Sequence, residues 1–179
     1  MTAKIYTRKQ LLSEIVAPLV AGETGVEVGT HLGGFAEQIL KRTELAQLYC
    51  IDPYPGDCYP HMDACAREEA ARVRLARFGA RAEFIILPSL EAVQQFATAS
   101  LAFVYIDAQH WEKDVLDDCR AWWPKVREGG VLAGHDYHSR GRNGVIPAVK
   151  AFFADIGHEY TVCEPRESHP TWWAVKGEA

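Results

Sequence analysis

The clearest pattern of apolar and polar positions lies in residues 25–40, which read GVEVGTHLGGFAEQIL. Val26 and Val28 flank Glu27, as expected of a short buried strand. Apolar residues then recur at helical spacing over residues 35–40, directly behind a glycine-rich segment. The helix would therefore point its first backbone amides at whatever binds in that segment. This stretch predicts a strand, a ligand-binding loop and a helix.

The rest of the chain continues the alternation. Apolar runs predict further strands over residues 48–51, 84–87, 101–106, 131–133, 158–163 and 171–176. Periodic apolar positions predict helices over 61–78, 89–97, 115–126 and 145–156. Gly129 and Gly130 are expected to end the third of these helices, and Gly157 the last. Alternating strands and helices predict an α/β fold of the Rossmann-like, doubly wound type, with helices on both faces of the sheet.

A further helix precedes the first strand. Thr7 and Gln10 have the spacing of a capping box, and an apolar face follows them. Pro18 is expected to end or bend this helix. We expect residues 1–24 to pack as a helical segment on a single domain that spans residues 1–179.

Composition and charge narrow the classes of function. The chain has 179 residues, of which 48% are hydrophobic, and a formal net charge of −5. The acidic balance argues against a partner held by nucleic-acid phosphates and favours a small molecule. The sequence has neither an apolar signal-peptide region nor a run of 18 apolar residues, which predicts a cytoplasmic protein without a membrane partner. Five cysteines without CxxC spacing indicate reduced, structural thiols.

The glycine spacing selects among nucleotide-type ligands. Gly29 is followed by three residues before Gly33, which gives E-x-G-x-x-x-G and not the GxGxxG of dinucleotide sites. This spacing resembles motif I of class I methyltransferases that use S-adenosylmethionine (SAM). A carboxylate such as Glu27 suits a positively charged sulfonium ligand and would repel a pyrophosphate. A plain strand-to-helix turn in another α/β protein is the alternative reading.

Two later motifs strengthen the resemblance. The run YIDAQHWEKDVLDDCRAWWPKVREGGVLAGHDY resembles small class I O-methyltransferases (Methyltransferase 24-like), in which IDxxH ends the fourth strand and GGxxxGHDY ends the fifth. The resemblance implies seven strands in the order 3-2-1-4-5-7-6, the last antiparallel. It also implies a cofactor over the ends of the first two strands and an acceptor over the fourth and fifth.

The same resemblance implies the cofactor site. It places Glu27 near the methionine end of SAM. The other implied contacts in the loop and beyond it are Gly29, Thr30, His31, Gly33, Asp52, Ser89 and Asp107. The distance from Gly33 to Asp52 also suits a strand that delivers a ribose-binding acid, although a turn carboxylate before proline would look the same. Ser89 is expected beside the adenine, as a helix N-cap, or as both.

The acceptor site is implied at the ends of the fourth and fifth strands. Related enzymes bind magnesium at positions that fall here on Asp107, His135 and Asp136. Magnesium prefers oxygen ligands and His135 offers nitrogen, so both the presence and the identity of a metal stay open. In the alternative without a metal, Asp107 contacts the substrate or a loop, and His135 and Asp136 are hydrogen-bonding turn residues. Asp107 also counts as a candidate catalytic residue, with His110 and His138 as candidate bases.

These features predict an enzyme that transfers a methyl group from SAM to a small molecule, most simply to a hydroxyl oxygen, with or without Mg²⁺ or another divalent metal. One alternative is an NAD-dependent oxidoreductase, although the glycine spacing is wrong for it and no YxxxK pair is present. A non-catalytic SAM-binding module and a metal-dependent hydrolase are the others. Without a large inserted cap, the acceptor site is open or completed by a second copy in a homo-oligomer.

Overall fold

A seven-stranded sheet forms the centre of the computed structural model, which describes residues 7–54, 63–138, 144–163 and 169–177. The strands are β1 (Thr24–Val28), β2 (Gln47–Ile51), β3 (Ala82–Ile85), β4 (Leu101–Ile106), β5 (Val126–Gly134), β6 (Thr161–Val162) and β7 (Trp172–Val175). Their order is β3-β2-β1-β4-β5-β7-β6. The first five strands are parallel, and β7 runs antiparallel to both β5 and β6. The predicted fold class, strand order and antiparallel last strand are confirmed.

Helices cover both faces of this sheet. They are α1 (Arg8–Gln10), α2 (Ala17–Val20), α3 (Gly34–Arg42), α4 (Ala64–Leu75), α5 (Ser89–Ala92), α6 (Glu112–Trp122) and α7 (Val145–Ile156). A π-helical segment, Leu11–Val16, joins α1 to α2. The strand β4 shows the two-faced burial directly. Phe103 and Tyr105 pack in the core beneath the π-helical segment, α2 and α3, whereas Val104 and Ile106 pack in the core beneath α5–α7. A strand buried on both faces has to be apolar throughout, which explains the uninterrupted run in its sequence.

The N-terminal helix begins as predicted but does not end at its proline. The Thr7 hydroxyl accepts a hydrogen bond from the Gln10 amide at 3.2 Å. Pro18 lies in the first turn of α2, and the helix continues to Val20. The preceding π-helical segment changes the hydrogen-bond pattern just before the residue that lacks an N–H, so the chain stays helical through it. Of the two expectations for Pro18, that it ends or bends the helix, the first is wrong.

Several predicted boundaries also need correction. The strand predicted at 84–87 lies at Ala82–Ile85, and the helix predicted at 89–97 is the short α5 followed by a 3₁₀ turn, Val93–Gln95. Gly129 and Gly130 do not end a helix, because both lie within β5. A Cβ on Gly130 would stand 3.0 Å from the Ala102 carbonyl oxygen, so this glycine lets β5 approach β4 closely.

Some predictions fall outside the described residues. They include the first residues of the helix predicted from position 61. They also include most of the loop predicted at 139–144, in which Arg140 and Arg142 either gather an acidic acceptor or are simply exposed. Among the helices that the structure does describe, none is long and apolar enough to cross a membrane.

Candidate active site

A cavity of about 490 Å³ opens at the carboxyl ends of the central strands. It is lined by the ends of β1, β2, β3 and β4 and the loops that follow them. Ligands of doubly wound sheets bind at this edge, where neighbouring connections run to opposite faces. Five of the predicted cofactor residues line the cavity: Gly29, His31, Asp52, Ser89 and Asp107. Its volume suits a ligand of nucleoside size.

Asp52 follows β2 and is almost fully buried. One of its carboxylate oxygens accepts the backbone amide of His31 and the other that of Tyr54, both at 2.8 Å. His31 and Tyr54 both have positive φ, so the two loops bend sharply to bring their amides to the carboxylate. Each oxygen keeps a second lone pair. The Asp52 carboxylate is thus fixed in orientation at the cavity wall and can still accept from ligand hydroxyls.

The glycine loop is shaped by close packing. Gly29 has a φ of +93°, and a Cβ there would stand 2.1 Å from the carbonyl oxygen of Asp107. Gly33, also at positive φ, faces Ala71 of α4, whose Cα would be 3.3 Å from an added Cβ. Gly29 therefore allows the loops after β1 and β4 to touch, and Gly33 allows α4 to close over the motif. Gly33 does not itself line the cavity.

Glu27 and Thr30 lie behind the cavity wall. Glu27 is fully buried on β1, beside Tyr105 of β4. Its Oε2 has no hydrogen-bond partner among the described residues. Burial, together with the negative charge of Asp107, raises the pKa of Glu27 well above its usual value, although the nearby Thr30 hydroxyl opposes the shift. Neither residue lines the cavity, so the structure puts Glu27 one position behind the ligand-facing Val28.

Ser89, which is predicted to lie beside the adenine, is hydrogen-bonded to two residues of α6. Its hydroxyl donates to Asp118 and accepts the indole N–H of Trp122 at 2.9 Å. Pro88, not Ser89, is the N-cap of α5, so the expected N-cap role is wrong. Burial raises the pKa of Asp118 to about 6, with the hydrogen bond from Ser89 opposing the shift. Sequence reasoning missed Asp118, which lines the cavity from α6.

Arg67 of α4 is a second cavity residue that sequence reasoning missed. It is 1% exposed, and it faces the cavity beside His31 and Asp52. Residues 61–78 carry several arginines and glutamates, a pattern typical of a solvated helix face, so the sequence does not single out Arg67. Only its burial in the fold distinguishes it from them.

The residues predicted at the acceptor side do come together. Nε2 of His110 lies 2.9 Å from Asp136 Oδ2 and 3.7 Å from Asp107 Oδ1. Nδ1 of His135 lies 3.5 Å from Asp107 Oδ1 and 3.4 Å from Asp136 Oδ1. His138 stands on the far side of Asp136, with Nε2 3.6 Å from Oδ1. Five side chains from the ends of β4 and β5 thus form one cluster of carboxylates and imidazoles.

Charge within this cluster is strongly coupled. The carboxylates of Asp107 and Asp136 raise the pKa of His110 to about 9. Burial alone would raise the pKa of Asp136, but the hydrogen bond from His110 and the nearby His135 lower it to about 2. At neutral pH the pair is therefore an imidazolium beside a carboxylate.

This donor set fits magnesium poorly. Mg²⁺ requires near-octahedral oxygen ligands, and the cluster offers imidazole nitrogens at several positions that an oxygen ligand would occupy. Among the described residues, the three-residue groups whose donor atoms lie within 4.8 Å of one another are Asp107–His110–Asp136 and Asp136–His138–His169. His169, from the segment before β7, was not predicted from the sequence. His135 belongs to neither group. We therefore assign no step to magnesium.

Comparisons with known proteins add the family. Residues 26–137 match the model of a protein family described as a methyltransferase domain. Uncharacterized protein R132 of Acanthamoeba polyphaga mimivirus is 26% identical over 145 residues, which are 74% of this chain and 60% of the viral protein. This chain thus matches less than two thirds of that relative's length.

Two solved structures are also similar. The O-methyltransferase TomG of Streptomyces achromogenes, involved in tomaymycin synthesis and solved with SAM, has a TM-score of 0.68 at 16% identity, over 95% of this chain and 80% of TomG. An rRNA methylase of Streptococcus thermophilus has a TM-score of 0.67 at 14% identity, over 98% of this chain and all of that one. At these identities the likeness shows the fold and leaves the acceptor to be argued from the site.

Proposed function

We propose that this chain, which belongs to the family of methyltransferase domains, uses SAM to methylate a hydroxyl oxygen of a small molecule. The proposal rests on one observation, that two features lie side by side at the same edge of the sheet. A nucleoside-sized cavity with a fixed carboxylate adjoins the cluster of carboxylates and imidazoles after β4 and β5. Asp107 belongs to both, because it lines the cavity and contacts His110.

The cavity residues suit the cofactor. Asp52, held by two backbone amides, is proposed to accept the ribose hydroxyls. Ser89 and Asp118 offer oxygen atoms at the opposite wall, where the adenine amino group would need an acceptor. The buried Glu27, whose Oε2 has no partner among the described side chains, supplies negative potential behind the methionine end. When bound, SAM supplies an electrophilic methyl group.

The carboxylate–imidazole cluster suits an acceptor hydroxyl. Asp107, which lines the cavity beside His110, is proposed to contact a polar group of the acceptor next to this hydroxyl and so to hold its oxygen in line with the methyl group, because alignment supplies most of the rate in such transfers. The new bond joins the acceptor oxygen to the methyl carbon as the sulfur–methyl bond breaks, and the acceptor proton must leave.

We propose that the neutral form of His110, which becomes more populated as the pH rises towards its pKa of about 9, takes this proton on the ring nitrogen that does not face Asp136. Asp136, 2.9 Å from Nε2, stabilises the imidazolium that forms. His138 is the second candidate, on the other side of Asp136.

A small acceptor is favoured over nucleic acid by the charges. The formal net charge is −5, and the cavity rim carries Glu91, Asp114 and Asp117 with Lys113. A polyphosphate acceptor would meet mostly negative side chains there. The proposed acceptor is therefore a small molecule and not a nucleic acid.

The first test is calorimetric titration with S-adenosylhomocysteine, followed by a panel of hydroxyl compounds with methyl-labelled SAM. We expect a dissociation constant on the order of micromolar and label in at least one hydroxyl compound. Binding without transfer to any hydroxyl or amine would indicate a binding module. Absence of binding would overturn the proposed function.

A further inference from the structure

Two segments distant in sequence meet beside Asp136. One follows β5 and carries Asp136 and His138. The other precedes β7 and carries His169 and Pro170. The backbone amide of Tyr137 donates to the Pro170 carbonyl at 2.9 Å, which fixes the two segments against each other. His169 therefore reaches the end of β5 through a backbone contact.

The donor atoms of these side chains are spaced for a metal ion. One ligand atom from each of Asp136, His138 and His169 lies within 4.8 Å of the other two. The His138 and His169 rings stand edge to face with centroids 4.7 Å apart, and His138 Nε2 is 3.6 Å from Asp136 Oδ1. In a tetrahedral zinc site with metal–nitrogen bonds of about 2.05 Å, neighbouring donors are about 3.3 Å apart. Small side-chain rotations would close this difference.

The chemistry of the donors selects the ion. Two imidazoles and one carboxylate are the donor set of zinc sites that keep a fourth position open. Hard magnesium would instead need oxygens at most positions. We propose that Asp136, His138 and His169 bind a divalent ion of the zinc class where the segment after β5 meets the segment before β7. The inference rests on these residues alone and does not require the proposed methyl transfer.

Asp136 is placed to serve as such a ligand. Its Oδ2 lies 2.9 Å from His110, which orients the carboxylate from behind, while Oδ1 is turned towards His138. Hydrogen bonds of this kind from outside the ligand set fix the orientation of metal-binding carboxylates. A His138 that ligates through Nε2 cannot also take a proton at that atom, so the ion-binding role and the role as base exclude each other.

Direct binding tests the site without reference to activity. Chelator-treated full-length protein is titrated with Zn²⁺ and with Mg²⁺ by calorimetry, and Co²⁺ is added as a probe whose visible absorption reports tetrahedral nitrogen–oxygen ligation. We expect one Zn²⁺ per chain, bound at least about a hundredfold more tightly than Mg²⁺. His169→Ala and His138→Ala should each weaken Zn²⁺ binding more than tenfold and abolish the cobalt spectrum.

The controls separate this site from its neighbours. His158→Ala removes an imidazole that packs against Trp123, away from the cluster, and should bind Zn²⁺ like the wild type. Because His169 is exposed, its replacement should leave the fold and S-adenosylhomocysteine binding intact. The proposal is overturned if Zn²⁺ does not bind or if neither His169→Ala nor His138→Ala weakens it. It is equally overturned if His110→Ala, and not His169→Ala, removes the ion. Each of these results leaves the methyltransferase proposal standing.

Discussion

The carboxylate of Asp52 at the end of β2 accepts the backbone amide of His31, 2.8 Å away in the loop after β1. This bond joins the two strand ends that frame the cavity. It also uses only one lone pair of the oxygen concerned. Asp52 therefore shapes the loop and remains available to a ligand, and these two roles can be separated by measurement.

Asp52→Asn should weaken S-adenosylhomocysteine binding by roughly tenfold or more, because a neutral amide replaces a charge-assisted acceptor for the ribose hydroxyls. Calorimetry measures the affinity, and thermal unfolding shows whether the loop survives. Asp155→Asn, which removes an exposed carboxylate paired with Arg120, is the matched control and should bind like the wild type. Equal affinities in the two variants would remove Asp52 from the ribose site.

Glu27→Gln should stabilise the folded protein but weaken its binding of SAM. The pKa of Glu27 is raised by burial, so holding it ionised at neutral pH destabilises the folded protein, and an isosteric amide relieves this. We expect a higher melting temperature without ligand and weaker binding of SAM, because the positive charge of SAM favours an ionised carboxylate that glutamine lacks. Glu83→Gln on the exposed side of β3 is the control. Unchanged SAM affinity would restrict Glu27 to a structural role.

The sheet could be predicted because its signals are local. β4 is apolar at every position since both faces are buried, and α7 ends at Gly157, whose φ of +62° suits glycine. Local signals were misleading at Gly129 and Gly130, where glycines permit close strand packing and do not stop a helix. The element boundaries that were predicted wrongly here are the ones that depend on contacts between strands.

The site could be predicted only in part, for the same reason. Asp52 and Asp107 end strands of the parallel sheet, so their positions follow from the topology. His169 precedes β7 and reaches the cluster because the Tyr137 amide is hydrogen-bonded to the Pro170 carbonyl. No pattern in the sequence predicts this hydrogen bond. Asp118 looked like one carboxylate among several on α6 until burial separated it from its neighbours.

Asp118→Asn should stabilise the protein in a pH-dependent manner. The pKa of Asp118 is raised by burial from 3.8 to about 6, so between these values the folded chain holds a proton that the unfolded chain has released. Wild-type stability therefore falls as pH rises from about 4 to 6, by up to about 3 kcal/mol, and the full penalty persists above 6. The variant lacks this penalty.

Urea unfolding at pH 4 and pH 7.5 measures the effect. The free energy of unfolding of Asp118→Asn should exceed that of the wild type at pH 7.5 and match it near pH 4. Asp155→Asn, on an exposed side chain, should show no such pH-dependent difference. A variant that is less stable than the wild type at pH 7.5 would mean that the ionised carboxylate is needed by Ser89 and Trp122.

Gly29→Ala should be far more destabilising than Gly157→Ala, although both glycines have positive φ. At Gly157 a Cβ meets nothing within 4 Å, so only the strain of a left-handed alanine remains, about 1 kcal/mol. At Gly29 the Cβ would stand 2.1 Å from the Asp107 carbonyl oxygen, which is backbone held by β4 and cannot move aside cheaply. We expect a loss of more than about 3 kcal/mol in the free energy of unfolding, or failure to fold. The urea midpoints of the two variants measure this difference. Similar midpoints would show that the loops after β1 and β4 can separate, and that Gly29 is needed for the ligand and not for the contact between the loops.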